Sequence, residues 1–190
     1  MPVVTSASGA TFSACRRWRY LLWRRWDESK PIANFLMLNP STADEHQLDP
    51  SCTRARDFAE SWGYGALIVT NIFAWRATDP ADMKRAEDPV GRSNNQAILR
   101  AARQSAIVVC AWGNHGAHRD RAATVLANLR GAKVPLHALR IIYRARITGG
   151  RLRNELDGST DRAEWFPLSS VSGLQRVKLV DIALKMAERD

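Results

Sequence analysis

Three short, almost wholly apolar runs, each closing on a polar cluster and each followed by a helical stretch, constrain this chain more than any other feature. They are Ile32 to Leu38 (IANFLML), Ala66 to Trp75 (ALIVTNIFAW) and Ala106 to Trp112 (AIVVCAW). Apolar runs without alternation suit strands that are covered on both faces. A helix is expected over 51–62, with Asp49 as N-cap, Pro50 in its first turn and Gly63 and Gly65 at its end. A second is expected over 93–104, capped by Ser93 or Asn94, and a third over 119–130. In the third, Ala122, Val125, Leu126 and Leu129 recur at helical spacing and Gly131 is the stop. Trp18 to Trp26 (WRYLLWRRW) alternates irregularly and reads as an edge strand, followed by a turn at Asp27–Pro31. Arg76 to Asp88 reads as a loop with a short helix, punctuated by Asp79-Pro80 and Asp88-Pro89. Leu136 to Tyr143 is a fourth strand candidate, 148–160 a hairpin or loose loop, and Val171 or Ser172 to Glu188 an amphipathic closing helix. The alternation predicts an α/β fold: a three-layer sandwich with a mostly parallel sheet of four to five strands and helices on both faces.

The chain length of 190 residues fits one domain, expected over 16–190 behind a disordered lead at 1–15. The lead lacks the pattern of a signal peptide, and no apolar run approaches the roughly eighteen residues of a membrane span. A cytoplasmic protein without a membrane partner is the expectation. Cys15, Cys52 and Cys110 are an odd set without CxxC spacing, which argues against a disulfide framework or a zinc site. No metal and no organic cofactor are expected. The formal net charge is +9, and it is clustered. Five arginines and no acid lie between Arg16 and Trp26, and eight basic residues and no acid between Arg121 and Asn154. Clustered arginine suits DNA, RNA or a nucleotide as partner.

In a parallel sheet, ligands bind beyond the carboxyl ends of the strands. That rule gathers Asn39-Pro40-Ser41-Thr42-Ala43-Asp44, then Asn71 with Trp75 and Arg76, then Trp112-Gly113-Asn114-His115-Gly116 at one edge. Asparagine amides offer the donor and acceptor pair that base edges require. Asn39 serves either a ligand or the turn before Pro40, and Asn71 either a ligand or the ordering of neighbouring loops. Asp44 and Asp49 either activate water or hold a metal, or else cap helices or face solvent. His115 is a candidate acid or base. Trp75 and Trp112 offer stacking surfaces, or belong to the core. Arg54, Arg76 and Arg119 are candidate phosphate contacts.

Four motifs in order carry a family resemblance: LMLNPSTAD (Leu36–Asp44), VTNIFAWRATDP (Val69–Pro80), DPVGRSNN (Asp88–Asn95) and AWGNHG (Ala111–Gly116). Together they resemble the bacterial and phage family named domain of unknown function sixteen-forty-three. A weaker resemblance is to the uracil-DNA glycosylase superfamily, through Asn39-Pro40, Asn71 and Trp112-Gly113 at three successive strand ends. It implies a glycosylase-like fold, with Asn39 or Asp44 orienting water, Asn71 reading a base, and Trp75 or Trp112 stacking it. The chain departs from that pattern. Met37 replaces a glycine, and RIIYRARITGG (Arg140–Gly150) stands where His-Pro-Ser is expected, leaving His115 or His137 as substitutes. The leading expectation is therefore a protein that binds a nucleobase, nucleotide or nucleic acid at the strand edge, with N-glycosidic hydrolysis as the chemistry that the resemblance implies. The alternatives are a non-catalytic accessory module, and a hydrolase or transferase for a small phosphorylated metabolite.

Overall fold

The computed structural model describes residues 4, 6–134, 148–151, 164–174 and 178–187. The chain forms two compact units, residues 1–139 and 140–190.

The first unit is built on a mixed, open sheet of five strands. They are β1 (Ser8–Phe12), β2 (Arg19–Arg25), β3 (Ile32–Met37), β4 (Ala66–Asn71) and β5 (Ile107–Ala111), in the spatial order β1-β2-β4-β3-β5. The three apolar runs form the strands β4, β3 and β5, which pair in parallel. All six residues of β4 are buried, as expected for a central parallel strand. The mostly parallel sheet expected from sequence is not what forms, because β1–β2 is an antiparallel hairpin and β2 runs antiparallel to β4. The hairpin also corrects two finer readings. Ser8–Phe12 is an ordered strand, not part of a disordered lead, and β2 lies inside the sheet because β1 takes the edge. Gly9 makes this pairing possible: it faces Trp23, and a Cβ there would sit 2.1 Å from the indole.

Helix α1 (Pro50–Ser61) packs Ala55 and Ala59 against Leu22, Phe35, Leu67, Val69 and Val109 on one face of the sheet. Asp49 caps it by accepting from Cys52 N at 2.8 Å, and Pro50 occupies the first turn, as the sequence predicts. Gly63 leaves the helix at φ +83°. Residues of α2 (Pro80–Arg85), α3 (Asn94–Gln104) and α4 (Arg121–Gly131) join a second cluster. There Met83, Ile98, Ala102, Val125 and Leu129 meet Leu36, Ile72, Phe73 and Val108. Alternate residues of β3 and β5 thus enter opposite clusters, the period-two rule of a strand buried on both sides. A kinked 3-10 segment, Asn114–Asp120, joins β5 to α4. Gly131 belongs to α4, and the reversal comes at Lys133 with φ +55°.

The fourth strand candidate, His137 and most of 141–164 lie outside the described residues. In the second unit, the closing helix expected from Val171 or Ser172 is preceded by a short helix, α5 (Leu168–Val171), and a turn. The longer helix α6 covers Lys178–Ala187. Among the described residues, no helix is long and apolar enough to cross a membrane.

Candidate functional site

The parallel register sets the site. Met37 stands beside both Asn71 and Ala111, so β4, β3 and β5 end at one level. The segments leaving them carry Asn39, Pro40 and Ser41, then Trp75 and Arg76, then Trp112, Gly113 and Asn114. The first two are stitched together. Ala77 N donates to Pro40 O at 2.9 Å, and the Ser41 and Thr78 hydroxyls meet at 3.1 Å. The Asn39 amide donates to Pro40 O at 3.1 Å and Ala77 O at 2.7 Å. Its NH2 group is therefore engaged in holding the two loops.

Beneath these loops lies a buried polar network. Arg19 is 1% exposed, and its Nη groups donate to Ala43 O at 2.9 Å and to Asn71 Oδ1 at 3.1 Å. A β-bulge places it there: Thr11 pairs with Leu21 but Phe12 pairs with Arg19, which leaves Tyr20 as the extra residue. One added residue reverses the facing of what precedes it, and Arg19 turns onto the α1 side. Burial lowers its affinity for a proton, an effect partly offset by the nearby Cys52 and Asp49. No carboxylate among the described residues hydrogen-bonds to it. Burial in turn pushes the Cys52 thiol up to about 12.

The DPVGRSNN motif supports the same network. Asp88 Oδ1 accepts from the amides of Val90 and Gly91 at 3.1 and 2.9 Å. Asn94 donates to Asn71 O and Ile72 O at 2.9 and 3.0 Å. Asn95 Oδ1 accepts from Arg121 at 2.7 Å, and Arg121 Nε donates to Ile72 O at 2.6 Å. Arg121 is buried, which pulls its pKa down to about 10. Three buried polar atoms here have no hydrogen-bond partner: Asn71 Nδ2, Arg19 Nε and Asn94 Oδ1. Asn71 is 1% exposed, so its side chain sits below the surface that a ligand would meet.

The other residues singled out from sequence spread around this edge. Asp44 Oδ1 accepts from the amides of His46 and Gln47 at 2.8 and 2.9 Å. These bonds hold the Asp44 carboxyl below the usual carboxylate range. His115 and Asn114 are exposed in the 3-10 segment, while Gly116 is buried against Trp112. A Cβ on Gly116 would stand 2.2 Å from that indole. Arg119, at φ +53°, donates to the main-chain oxygens of Glu87 and Ala86 at 3.1 and 3.3 Å. Arg54 is exposed on α1. Among the described residues, no group of three or more His, Cys, Asp or Glu side chains could hold a metal ion.

The turn between β1 and β2 adds residues that the sequence reading left out of the site. Because β2 is antiparallel to β4, this turn comes out at the same edge. Trp18 bridges to Trp75, and their rings meet edge-to-face at 5.1 Å. The Trp18 indole donates to Asp88 O at 2.9 Å, and its ring leaves no room for a side chain at Gly91. The Arg17 guanidinium lies 5.9 Å from the Trp75 ring, and those of Arg16 and Arg76 lie 3.9 and 5.0 Å from the Phe12 ring. Arg16 also pairs with Glu45 at 2.8 Å. Arg16 and Arg17 are exposed, and Phe12, Trp18, Trp75 and Arg76 are half-buried. The signal for them in the sequence is the interleaving of arginine with tryptophan in Arg16–Arg19.

A family model described as "Protein of unknown function (DUF1643)" matches residues 19–147. No curated protein and no solved structure matches the chain.

Proposed function

This chain belongs to the DUF1643 family, and we propose that it binds single-stranded nucleic acid or a nucleotide at the carboxyl edge of its parallel strands. The observation that carries this reading is the arginine–aromatic patch. Three guanidinium groups, Arg16, Arg17 and Arg76, surround Phe12, Trp18 and Trp75 within about one side-chain layer. Guanidinium groups hold phosphates, and indole faces accept bases irrespective of sequence. Arg119 and Arg54 extend the positive surface. The clipped loops at Asn39, Ser41 and Thr78 give the patch a fixed base.

Within this reading, the finer likeness to a three-layer uracil-DNA glycosylase rests on Asn39-Pro40, Asn71 and Trp112-Gly113 at consecutive strand ends. Binding is favoured over N-glycosidic hydrolysis by where the polar groups point. The Asn39 NH2 is directed at carbonyl oxygens, and an Asp44 oxygen accepts two backbone amides. The Asp44 carboxyl, held below its usual range by those bonds, is a weaker base for water. The protein is then an accessory module acting inside the cell, with the patch as its working surface.

The test is fluorescence anisotropy with a short labelled oligothymidine over a salt series, beside a base-release assay on uracil- and hypoxanthine-containing DNA. Salt-sensitive binding, weakened by Trp75→Ala, without base release supports the proposal. Base release that Asn39→Ala abolishes replaces it with a glycosylase. Absence of both, with turnover of a small phosphorylated compound, replaces it with a metabolic enzyme.

A further inference from the structure

A cleft of about 610 Å³ opens between the end of β2, the loop at 46–48 and α1. Arg24 and Arg25 pair with Leu67 and Ala66, at the start of β4, whereas Trp75 and Arg76 of the patch follow its end. The lining includes Arg24, Arg25 and Arg56, with His46 and Thr53, and Glu60 as its one carboxylate. Glu60 is engaged with Arg56 at 3.8 Å, and Arg56 also pairs with Asp57 at 2.9 Å. The Arg24 Nη groups donate to the main-chain oxygens of Trp23 at 2.8 Å and Asp44 at 2.7 Å, which are neutral acceptors. Arg25 Nε is buried without a hydrogen-bond partner. Three arginines and a histidine therefore line one concave space, against Glu60 as the carboxylate among the described lining residues.

We propose that this cleft is a second binding site, one that takes the phosphate of a nucleotide-sized ligand among Arg24, Arg25 and Arg56. Guanidinium N–H donors match the oxygens of a phosphate, and a cleft wall lined mainly by one sign of charge concentrates the field. A volume of this size is in the range of small-molecule sites. Thr53, on the facing helix, supplies a hydroxyl that donates or accepts. The phosphate comes either from a free small molecule or from a nucleic-acid backbone, and the two sources are separable.

Isothermal titration calorimetry of the full chain decides the matter, using pyrophosphate, adenosine 5′-monophosphate and an oligothymidine. The variants are Arg25→Gln, Arg25→Lys, Arg56→Gln and, as a control at the patch, Arg76→Ala. Saturable binding of pyrophosphate is expected. Arg25→Gln should weaken it roughly tenfold or more, the loss of a charge-assisted pair of hydrogen bonds, and Arg25→Lys should weaken it less. Arg76→Ala should leave it within about twofold, because Arg76 is not among the residues that line the cleft. Binding of pyrophosphate and the monophosphate assigns a small phosphorylated ligand. Binding of the oligothymidine alone, weakened by Arg25→Gln, assigns a backbone phosphate. No saturable binding of any of the three overturns the site. So does binding that Arg76→Ala weakens while Arg25→Gln and Arg56→Gln, both folded by circular dichroism, leave it unchanged.

Discussion

Arg17 and Arg19 are two residues apart and serve opposite ends. Arg19 is turned under the sheet edge by a bulge and spends its donors on Ala43 O and Asn71 Oδ1. Arg17 stays exposed beside Trp75. The contrast extends to the regions around them. The inner region (Arg19, Asn71, Asn94, Arg121) is a buried network whose groups face one another and main-chain oxygens. The outer patch (Phe12, Arg16, Arg17, Trp18, Trp75, Arg76) is exposed or half-buried: Arg17 lies open beside Trp75, while Arg16 pairs with Glu45 and the Trp18 indole donates to Asp88 O. Polar residues at a strand edge are thus of two kinds, buried ones and ones open to solvent, and the proposed binding surface draws on the second. Asn39 and Asn71, the amides that first suggest base recognition, belong with the supporting kind.

The largest effect should come from removing the inner arginine. Arg19→Ala leaves two buried acceptors unmet and opens a cavity, and should cost about 4 kcal/mol in urea denaturation. Arg17→Ala should stay within about 0.5 kcal/mol; equal losses for the pair would break the contrast. Asn94→Ala strips a donor from two main-chain oxygens and should cost about 2 kcal/mol by the same measurement. A loss confined to nucleic-acid affinity would instead move Asn94 to the ligand-facing set. On the outer side, Arg17→Ala and Arg76→Ala should leave stability alone. Each should lower the slope of log affinity against log salt by about one phosphate contact. An unchanged slope would remove that arginine from the interface.

The smallest effect concerns pH. The Arg16 guanidinium holds the Glu45 carboxyl down to about 2, against 4.5 ordinarily. A carboxyl with a folded value below its unfolded one contributes stability above about pH 4.5, and loses it as pH falls toward 2. Thermal melts should therefore drop more steeply between pH 4.5 and 2 for the parent than for Glu45→Gln. Parallel curves would show that the pair adds nothing to the outer turn.

Much of the architecture was legible because apolar runs, Asp49-Pro50 and Asp79-Pro80 speak through local rules. Asp79 caps α2 as Asp49 caps α1, each accepting a main-chain amide. The strand-edge rule brought the segments after β3, β4 and β5 to one edge, and the register has those strands ending at one level. What stayed hidden depended on non-local pairing. SGATF (Ser8–Phe12) has no run of large apolar residues, and it forms a strand because Gly9 lets Trp23 lie across it. The bulge that buries Arg19 arises only once β1 pairs with β2, so no local count separates Arg19 from Arg16 or Arg17. Nor does sequence say which way an amide points; the orientation of Asn39 is fixed by Ala77 O, thirty-eight residues away.

The hydrogen bond from the Trp18 indole to Asp88 O spans seventy residues of chain. Closing so long a loop carries an entropic cost that only the assembled sheet and α3 can offset. The patch is therefore a late product of folding. A chain with its hairpin formed but its later strands unpaired would present Trp18 without its seat on Gly91 and without Trp75 beside it. Under the proposed function, capacity to bind at this edge would report that the first unit has folded to completion, and a nascent or damaged copy would stay silent.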